Sequence, residues 1–176
     1  MLKRFEPVAY VPSAFCVTPE ALQKKGIRAV MTDLDNTLIE WNRAHATDEV
    51  IDWIRSLQRA NIDVLVMSNN NEERVRTFCE PLGLPYIARA NKPLKGAFVE
   101  GMRRLGVTRD EVVMIGDQLM TDVLGANRAG VPVVLVLPVV QSDAKATKFN
   151  RFVESKIMNT LQKRGLRVQE GELWNN

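Results

Sequence analysis

The chain has 176 residues, of which 45% are hydrophobic and 26% charged, and its formal net charge is +3. This composition is typical of a globular protein with one well-buried core, so a single domain over residues 1–176 is expected. The longest apolar run, over 131–140, contains two prolines and is shorter than the roughly 18 residues of a membrane-spanning helix. Because the N-terminus also lacks the apolar core of a signal peptide, we expect a cytoplasmic protein.

The cysteines indicate the redox state of the protein, and the distribution of charge indicates what kind of partner it attracts. Cys16 and Cys79 have neither a metal-site spacing nor a disulfide-rich context, which predicts two reduced thiols. Residues 29–142 carry 12 Lys or Arg against 15 Asp or Glu, whereas residues 1–28 carry 5 against 2 and residues 143–168 carry 7 against 2. Basic flanks of this kind attract anionic partners such as a membrane surface or nucleic acid, although a solvated face is the ordinary interpretation of any single charge.

Apolar β-branched runs alternate with segments of helical periodicity along the middle of the chain. Strands are predicted at 27–31, 64–67, 85–88, 112–115 and 133–137. Helices are predicted at 48–60, with Thr47 as N-cap, at 72–82, at 95–105 and in a short segment ending at Ala129. This order indicates an α/β fold, a Rossmann-like three-layer arrangement with a five-stranded, mostly parallel sheet. Its core covers about residues 27–137, with an N-terminal arm over 1–26 and a C-terminal helix and tail over 143–176.

Polar side chains follow successive strands of this predicted sheet. The carboxyl ends of parallel strands meet at one edge, where ligands of open α/β sheets bind. Clustered carboxylates repel one another unless a cation lies among them, and hard oxygen ligands suit Mg²⁺ better than zinc. Together with a hydroxyl and an ammonium group, they predict a magnesium and phosphate site. The residues concerned are Asp33, Asp35, Ser68, Lys92, Asp117 and Asp122.

Each of these residues also has an ordinary structural interpretation when it is taken alone. Ser68 and the three asparagines behind it are typical of a loop and a helix N-cap, and Lys92 is typical of an exposed lysine. Gly116-Asp117 resembles a simple turn, and Asp122 an exposed helix residue. Because all of these interpretations must hold at once for the sheet edge to be inert, we favour a functional site.

The ordered set resembles the four motifs of the haloacid dehalogenase (HAD) superfamily of phosphatases. The first motif, D-x-D-x-T, is present at 33–37, and the fourth, G-D-x-x-x-x-D, at 116–122. Ser68 fits the second motif, and Lys92 fits the third better than Lys95 does. The arm Pro7-x-x-Tyr10-Val11-Pro12-Ser13, with Trp41 after the first motif, further resembles the YqeG-type branch of subfamily IIIA, which is similar to phosphatidylglycerophosphate phosphatases.

The resemblance implies a phosphomonoester hydrolase that depends on Mg²⁺. Asp33 is then the nucleophile that forms an aspartyl-phosphate, and Asp35 is the general acid and base. The phosphoryl group is bound by Ser68, Asn69 and Lys92. The implied Mg²⁺ ligands are the Asp33 carboxylate, the Asp35 backbone carbonyl and Asp117, with Asp122 as a further ligand or a supporting residue.

The segments between the motifs predict an open site without a cap domain. Between Asp33 and Ser68 there is room only for a small flap at 39–42 and one helix, and between Ser68 and Lys92 only for one helix and a strand. Open sites of this superfamily suit large phosphorylated substrates, such as a phosphoprotein or an anionic phospholipid, with phosphatidylglycerophosphate as the specific candidate. The apolar and basic helix over 148–164 fits both packing on the sheet and a peripheral position on the inner face of the membrane.

Two other classes of protein compete with the enzyme. A receiver domain has a similar fold and an acidic Mg²⁺ site, but its acidic residues come in a different order along the chain. A non-catalytic module that binds RNA or a protein partner such as a GTPase would leave the acidic cluster without a chemical role. Nucleic acid is the less favoured partner, because the sequence carries no aromatic stacking motif of an RNA-binding fold.

Overall fold

The computed structural model describes residues 2–140 and 148–169. Its strands are β1 (Ala9–Val11), β2 (Ala29–Thr32), β3 (Asp63–Met67), β4 (Tyr86–Ile87), β5 (Val112–Gly116) and β6 (Val133–Val136). Its α-helices are α1 (Pro19–Lys24), α2 (Asp48–Arg59), α3 (Glu72–Cys79), α4 (Gly96–Leu105), α5 (Leu124–Ala129) and α6 (Lys148–Lys163). Short 3-10 helices lie at Leu2–Phe5, Ala14–Cys16 and Glu80–Leu82, and a π-helical turn lies at Leu119–Val123.

All six strands form one parallel sheet in the order β1-β6-β5-β2-β3-β4. Strand residues alternate between two hydrophobic clusters, as the two-residue period of a strand requires. One cluster joins the sheet to α1, α2 and α3, and the other joins it to α4, α5 and α6. The predicted three-layer α/β fold is therefore confirmed, and the central strands are buried on both faces.

The strand count differs from the prediction by one. The additional strand, β1, belongs to the N-terminal arm and pairs with β6 from Ala9↔Val134 to Val11↔Val136. It has only three residues, with Pro7 and Pro12 close to its two ends, and a strand of this length is too short to show an alternating pattern. Prolines lack the backbone donor that a ladder needs, so they confine this strand to the edge of the sheet.

Local capping explains why the predicted helices form where they do. The Thr47 hydroxyl accepts a hydrogen bond from the Val50 N–H at 3.3 Å, which confirms the predicted N-cap of α2. The helix predicted at 72–82 ends earlier, at Cys79, because the chain tightens into a 3-10 turn with a proline at Pro81. Its last residue is followed by Gly83, whose φ of 64° is readily adopted by glycine.

The C-terminal helix α6 packs on the sheet through its later turns. Leu161 is buried in the second hydrophobic cluster, and Ile157 is partly buried against it. Phe152, one turn or more earlier, stays exposed, with the Lys156 ammonium 4.4 Å from its ring centre. In the part of the chain that the structure describes, no helix combines the length and apolarity needed to cross a bilayer.

Candidate active site

The side on which successive strands are added to the sheet reverses next to β2, and the candidate site lies at this point. From β2 the chain adds β3 and β4 on one side, then crosses to add β5 and β6 on the other. The loops after β2 and β5 therefore diverge at the carboxyl edge and leave a crevice between them. Asp33 follows β2 and Asp117 follows β5, and both stand at this switch point.

Three charged side chains form the floor of the crevice, and we call Asp33, Lys92 and Asp122 the buried charge cluster. The Lys92 ammonium donates hydrogen bonds to Asp33 Oδ1 at 2.8 Å, to Asp122 Oδ1 at 2.7 Å and to the Met67 carbonyl at 2.8 Å. The side chains of Lys92 and Asp122 are 2% and 0% exposed, and that of Asp33 is 10% exposed. One ammonium thus bridges two carboxylates out of contact with bulk water.

Burial and neighbouring charges change the acidity of this cluster. The pKa of Asp33 is raised to about 7, chiefly by burial; the Lys92 ammonium lowers it and the Asp122 carboxylate raises it, and both effects are included in that value. Burial alone would lower the pKa of Lys92, but the two carboxylates outweigh it and raise that pKa, so the ammonium stays charged. The cluster has more negative than positive groups, and a further cation beside it would be electrostatically favourable.

Asp122 reaches the floor because the residue opposite has no side chain. A Cβ built on Gly116 would lie 2.4 Å from Asp122 Cγ, which no real structure tolerates. The π-helical turn places Asp122 with its Oδ2 accepting from the Gln118 N–H at 3.2 Å. Single π-helical turns are often found at functional sites, where they re-aim a side chain. The glycine of the fourth motif is therefore needed for the approach of its aspartate.

Asp117 completes a group that can hold a metal ion. Among the described residues, Asp33, Asp117 and Asp122 can each offer a carboxylate oxygen, and these atoms lie within 4.8 Å of one another. Thr37, from the first motif, donates its hydroxyl proton to Asp117 Oδ1 at 3.0 Å. Three carboxylates from two loops make a hard-oxygen donor set that suits Mg²⁺. The Asp35 side chain lies outside this group, as expected if only its backbone carbonyl serves a metal.

The loop after β3 supports the lysine. The Asn69 amide donates to the Lys92 carbonyl at 3.0 Å and accepts from the Lys92 N–H at 2.7 Å, so it fixes the backbone of Lys92. The Ser68 side chain is buried and its hydroxyl oxygen accepts from the Asn70 N–H at 3.1 Å. The loop residue that follows Ser68, Asn69, thus links the end of β3 to the backbone of Lys92. Lys95, the less favoured lysine of the third motif, is exposed on the surface beyond this loop.

Asp35 lies at the edge of the crevice in a different setting, held by two residues that we call the Asp35 clamp. Arg74 donates from Nε at 3.1 Å and from Nη2 at 2.9 Å to Asp35 Oδ1, and Asn70 donates from Nδ2 at 2.8 Å to Oδ2. Arg74 Nη1 also donates to the Ala44 carbonyl at 3.3 Å, which ties the flap after the first motif to α3. Both oxygens of the carboxylate are therefore engaged.

The structure brings the predicted residues to one edge of the sheet, and it gives roles to three further residues, of which only Thr37 belongs to a motif quoted from the sequence. Asn70 and Arg74 hold Asp35, and Thr37 holds Asp117. Asn71 caps α3 by accepting from the Arg74 N–H at 2.9 Å, which places Arg74 in the first turn. That cap was a usable signal, but nothing in the sequence distinguishes Arg74 from the exposed Arg76 two residues later.

The described segments that follow the first and second motifs are short. Residues 38–47 form a short flap after the first motif, and the segment between Ser68 and Lys92 holds only α3, the 3-10 turn at Glu80–Leu82 and β4. No additional folded unit is inserted at either place within these described segments. The prediction of a core without a cap is confirmed at both positions.

Comparisons with known proteins agree with this geometry. The family model for haloacid dehalogenase-like hydrolases matches residues 14–130. The chain is 46% identical over 166 residues to the probable phosphatase YqeG of Bacillus subtilis strain 168, with 94% of this chain and 96% of that protein covered. It is also 27% identical over 139 residues to phosphatidylglycerophosphate phosphatase 1, chloroplastic/mitochondrial, of Arabidopsis thaliana, covering 70% of this chain and 38% of that protein.

A solved structure supports the fold independently. The structure of a putative HAD superfamily (subfamily III A) hydrolase from Legionella pneumophila matches with a TM-score of 0.51 and 22% identity, covering 82% of this chain and 89% of that chain. The sequence matches extend over most of the chain and include all four motifs. The chain therefore belongs to the haloacid dehalogenase-like hydrolase family and is a phosphatase of the HAD type.

Proposed function

We propose that this phosphatase hydrolyses phosphomonoesters with Mg²⁺ through an aspartyl-phosphate on Asp33. The observation that carries this proposal is the buried charge cluster, in which one lysine and a second carboxylate surround Asp33. These contacts fix the position of the Asp33 carboxylate, and a nucleophile that is already fixed does not have to be ordered when the substrate binds. We also propose that residues 1–176 form one domain, as the sequence indicates, and that this domain carries the activity.

Each residue of the site has a chemical role in this proposal. The Asp33 carboxylate attacks phosphorus in line, and the P–O bond to the leaving group breaks as the acyl-phosphate forms. Asp35 gives a proton to the departing oxygen and then takes one from the water that cleaves the acyl-phosphate. Lys92, with the Ser68 hydroxyl and the Asn69 backbone N–H, binds the phosphoryl oxygens and stabilises their developing charge.

The carboxylates fit a hard divalent cation. Asp33, Asp117 and Asp122 bring oxygens within 4.8 Å of one another, and Lys92 is the one cationic side chain bonded to two of them in the described structure. We assign Mg²⁺ to these carboxylates and to the Asp35 backbone carbonyl, with Asp122 as ligand or support. Bound there, the ion would screen the repulsion between a carboxylate nucleophile and a phosphate dianion.

The mechanism is tested by phosphate release from p-nitrophenyl phosphate with and without Mg²⁺. We expect turnover that requires Mg²⁺, and a loss of about 1,000-fold or more in Asp33→Asn, because the amide cannot act as the nucleophile. The variant should remain folded by circular dichroism, since Lys92 keeps Asp122 as its partner. Turnover at the wild-type rate by folded Asp33→Asn protein would refute the mechanism, and no turnover of any phosphomonoester by the wild type would favour a binding module.

For the substrate, we propose a phosphomonoester on an anionic lipid, with phosphatidylglycerophosphate as the specific candidate. The similarity to the Arabidopsis thaliana enzyme of that name supports this choice. The absence of a cap at the two described insertion points supports it further, because a lipid headgroup presented by a membrane does not need a cap to enclose it. The protein would then act at the inner face of the membrane as a peripheral enzyme.

Exposed apolar side chains near the crevice also support a membrane substrate. Trp41 lies on the flap, and Leu137 and Val139 follow β6 at the same carboxyl edge. The Val139 N–H donates to the Asn36 carbonyl at 2.8 Å, so this segment touches the first motif. Glu154 of α6 accepts from the Met120 N–H at 3.0 Å, which brings the helix that carries exposed Phe152 and Lys156 beside the fourth motif. Apolar and basic residues on one edge are typical of surfaces that bind anionic bilayers.

Vesicle experiments test the substrate proposal. We expect binding to vesicles of phosphatidylglycerol at low salt, weaker binding as salt rises, and little binding to neutral phosphatidylcholine, because polybasic attraction is screened by ions. Hydrolysis should be faster for phosphatidylglycerophosphate in vesicles than for sugar phosphates or phosphopeptides. Faster cleavage of phosphopeptides, with no binding to anionic vesicles, would refute the lipid proposal and favour a phosphoprotein phosphatase while leaving the phosphatase itself intact.

A further inference from the structure

Arg74 makes more contacts than an ordinary ion pair on a helix surface. Two of its N–H groups donate to a single oxygen of Asp35, and a third donates to the Ala44 carbonyl of the flap. Its side chain is 14% exposed and that of Asp35 is 19% exposed, so most of the surface of both side chains is covered by the protein. The guanidinium therefore joins three parts of the molecule, namely the first motif, the flap and the start of α3.

We infer that Arg74 is a positioning residue, which orients Asp35 for proton transfer to the leaving group and fixes the flap above the site. The inference rests on the proposed role of Asp35 as general acid and base. It assigns to Arg74 no contact with the substrate. In this inference a residue of α3, and not the loop that carries Asp35, sets the orientation of the Asp35 carboxylate.

The conformation of the first motif explains why Asp35 needs an external support. Asp35 is followed by Asn36, which has a φ of 63°, so the loop turns sharply immediately after it. The Asp35 carboxylate is held at Oδ1 by the planar fork of Arg74 and at Oδ2 by the Asn70 amide. A fork that donates twice to one carboxylate restricts its rotation more than a lysine could. A proton donor must be aligned with the oxygen it serves, so this restriction matters for rate.

The support itself is rigid. The Arg74 N–H donates to the Asn71 side chain, which is the N-cap of α3, and the next residue, Val75, is buried in the core. Groups held on a capped helix keep their position better than groups on a loop. Arg76 provides a matched control, because it lies on the same helix, carries the same charge and is exposed.

The test compares two aryl phosphates that differ in how much they need a proton donor. The p-nitrophenolate group leaves without protonation far more readily than the phenolate of phenyl phosphate. Loss of an oriented acid should therefore slow phenyl phosphate more than p-nitrophenyl phosphate. We expect Arg74→Met to change the ratio of the two kcat/KM values, which report the step in which the leaving group departs, by about 10-fold or more. Arg74→Lys should restore part of the ratio, and Arg76→Met should leave it at the wild-type value.

An equal loss of kcat/KM for both substrates in Arg74→Met would overturn the inference, because a merely structural defect lowers both values alike. Asp33→Asn, assayed in parallel, separates this failure from failure of the proposed function, since only the latter gives turnover that does not depend on Asp33. Hydrogen exchange supplies a readout besides activity. Amides of residues 40–47 should exchange faster in Arg74→Met than in Arg76→Met, and equal exchange in the two variants would show that Arg74 does not fix the flap.

Discussion

The two aspartates of the first motif stand two residues apart but are held in opposite ways. Asp33 belongs to the buried charge cluster, where Lys92 and Asp122 leave it little contact with water. Asp35 is held by the Asp35 clamp at the edge of the crevice, where its side chain is partly exposed. A buried cluster is costly to disrupt because its remaining charges stay unpaired, whereas a partly exposed pair can be exchanged for water or substrate.

This difference matches the chemistry proposed for each residue. A nucleophile must stay fixed while phosphorus approaches, and the buried charge cluster fixes Asp33 from two sides. A proton donor must be oriented but also accessible to the leaving group and to water, which the edge of the crevice allows. The same two-residue spacing in sequence thus produces two environments, because the chain turns between β2 and the flap.

Removing the cation should cause the largest difference in stability between the buried charge cluster and the Asp35 clamp. Lys92→Met leaves Asp33 and Asp122 buried without their shared partner and should lower the free energy of unfolding by about 3–5 kcal/mol. Arg74→Met leaves a partly exposed carboxylate and should lower it by about 1 kcal/mol. Urea unfolding measures both, with the exposed Lys95→Met as control. Equal losses for Lys92→Met and Arg74→Met would contradict the distinction between the clusters.

A smaller steric change tests the buried charge cluster without removing a charge. Gly116→Ala places a Cβ 2.4 Å from Asp122 Cγ and should cost about 1–3 kcal/mol by forcing the carboxylate away from Lys92. Gly96→Ala is the matched control, because a Cβ there meets no atom within 4 Å. Thermal unfolding of the two variants measures the contrast. A Gly116→Ala protein as stable as Gly96→Ala would show that the close approach is not needed.

The proposed metal ligands are tested by removing the carboxylate of Asp117, which follows β5. Asp117→Ala removes one of the three carboxylates that can hold a cation, so we expect the Mg²⁺ concentration for half-maximal activity to rise about 10-fold or more. Asp110→Ala is the control, because its carboxylate is highly exposed and lies outside this group. An unchanged Mg²⁺ dependence in Asp117→Ala would count against a metal role for this residue.

The smallest effect is expected from the hydrogen bond that supports Asp117. Thr37→Val keeps the shape of the side chain but removes the hydroxyl that donates to Asp117 Oδ1 at 3.0 Å. If the lost hydrogen bond weakens Mg²⁺ binding by about 1 kcal/mol, the Mg²⁺ concentration for half-maximal activity rises about 5-fold. Titration of activity with Mg²⁺ measures it. A shift as large as that of Asp117→Ala would mean that Thr37 acts on more than this carboxylate.

Much of the fold was predictable because the signals are local. Buried parallel strands appear as apolar runs, and Thr47 marks the start of α2 through its own hydrogen bond. β1 was missed because a three-residue strand shows no periodic pattern, and its place in the sheet depends on β6, more than 120 residues later in the chain. Its pairing is a property of the folded sheet rather than of the arm.

The candidate site divides in the same manner. Residues of the four motifs were predictable because the carboxyl ends of parallel strands meet at one edge. The contacts that hold them were not, since Arg74 reaches Asp35 across 39 positions and Thr37 reaches Asp117 across 80. Which of several nearby polar residues makes such a contact depends on how helices pack on the sheet, and a single sequence does not contain that information.

The most direct test of the central claim is to trap the intermediate on Asp33. An acyl-phosphate is reduced by borohydride to an alcohol, which converts the aspartate into homoserine and is detected by mass spectrometry of the digested protein. Protein quenched during turnover with Mg²⁺ and p-nitrophenyl phosphate should carry homoserine at position 33, and Asp33→Asn should carry none. Sustained turnover with Asp33 unmodified under borohydride, or with the modification on Asp35 or another residue instead, would contradict the account.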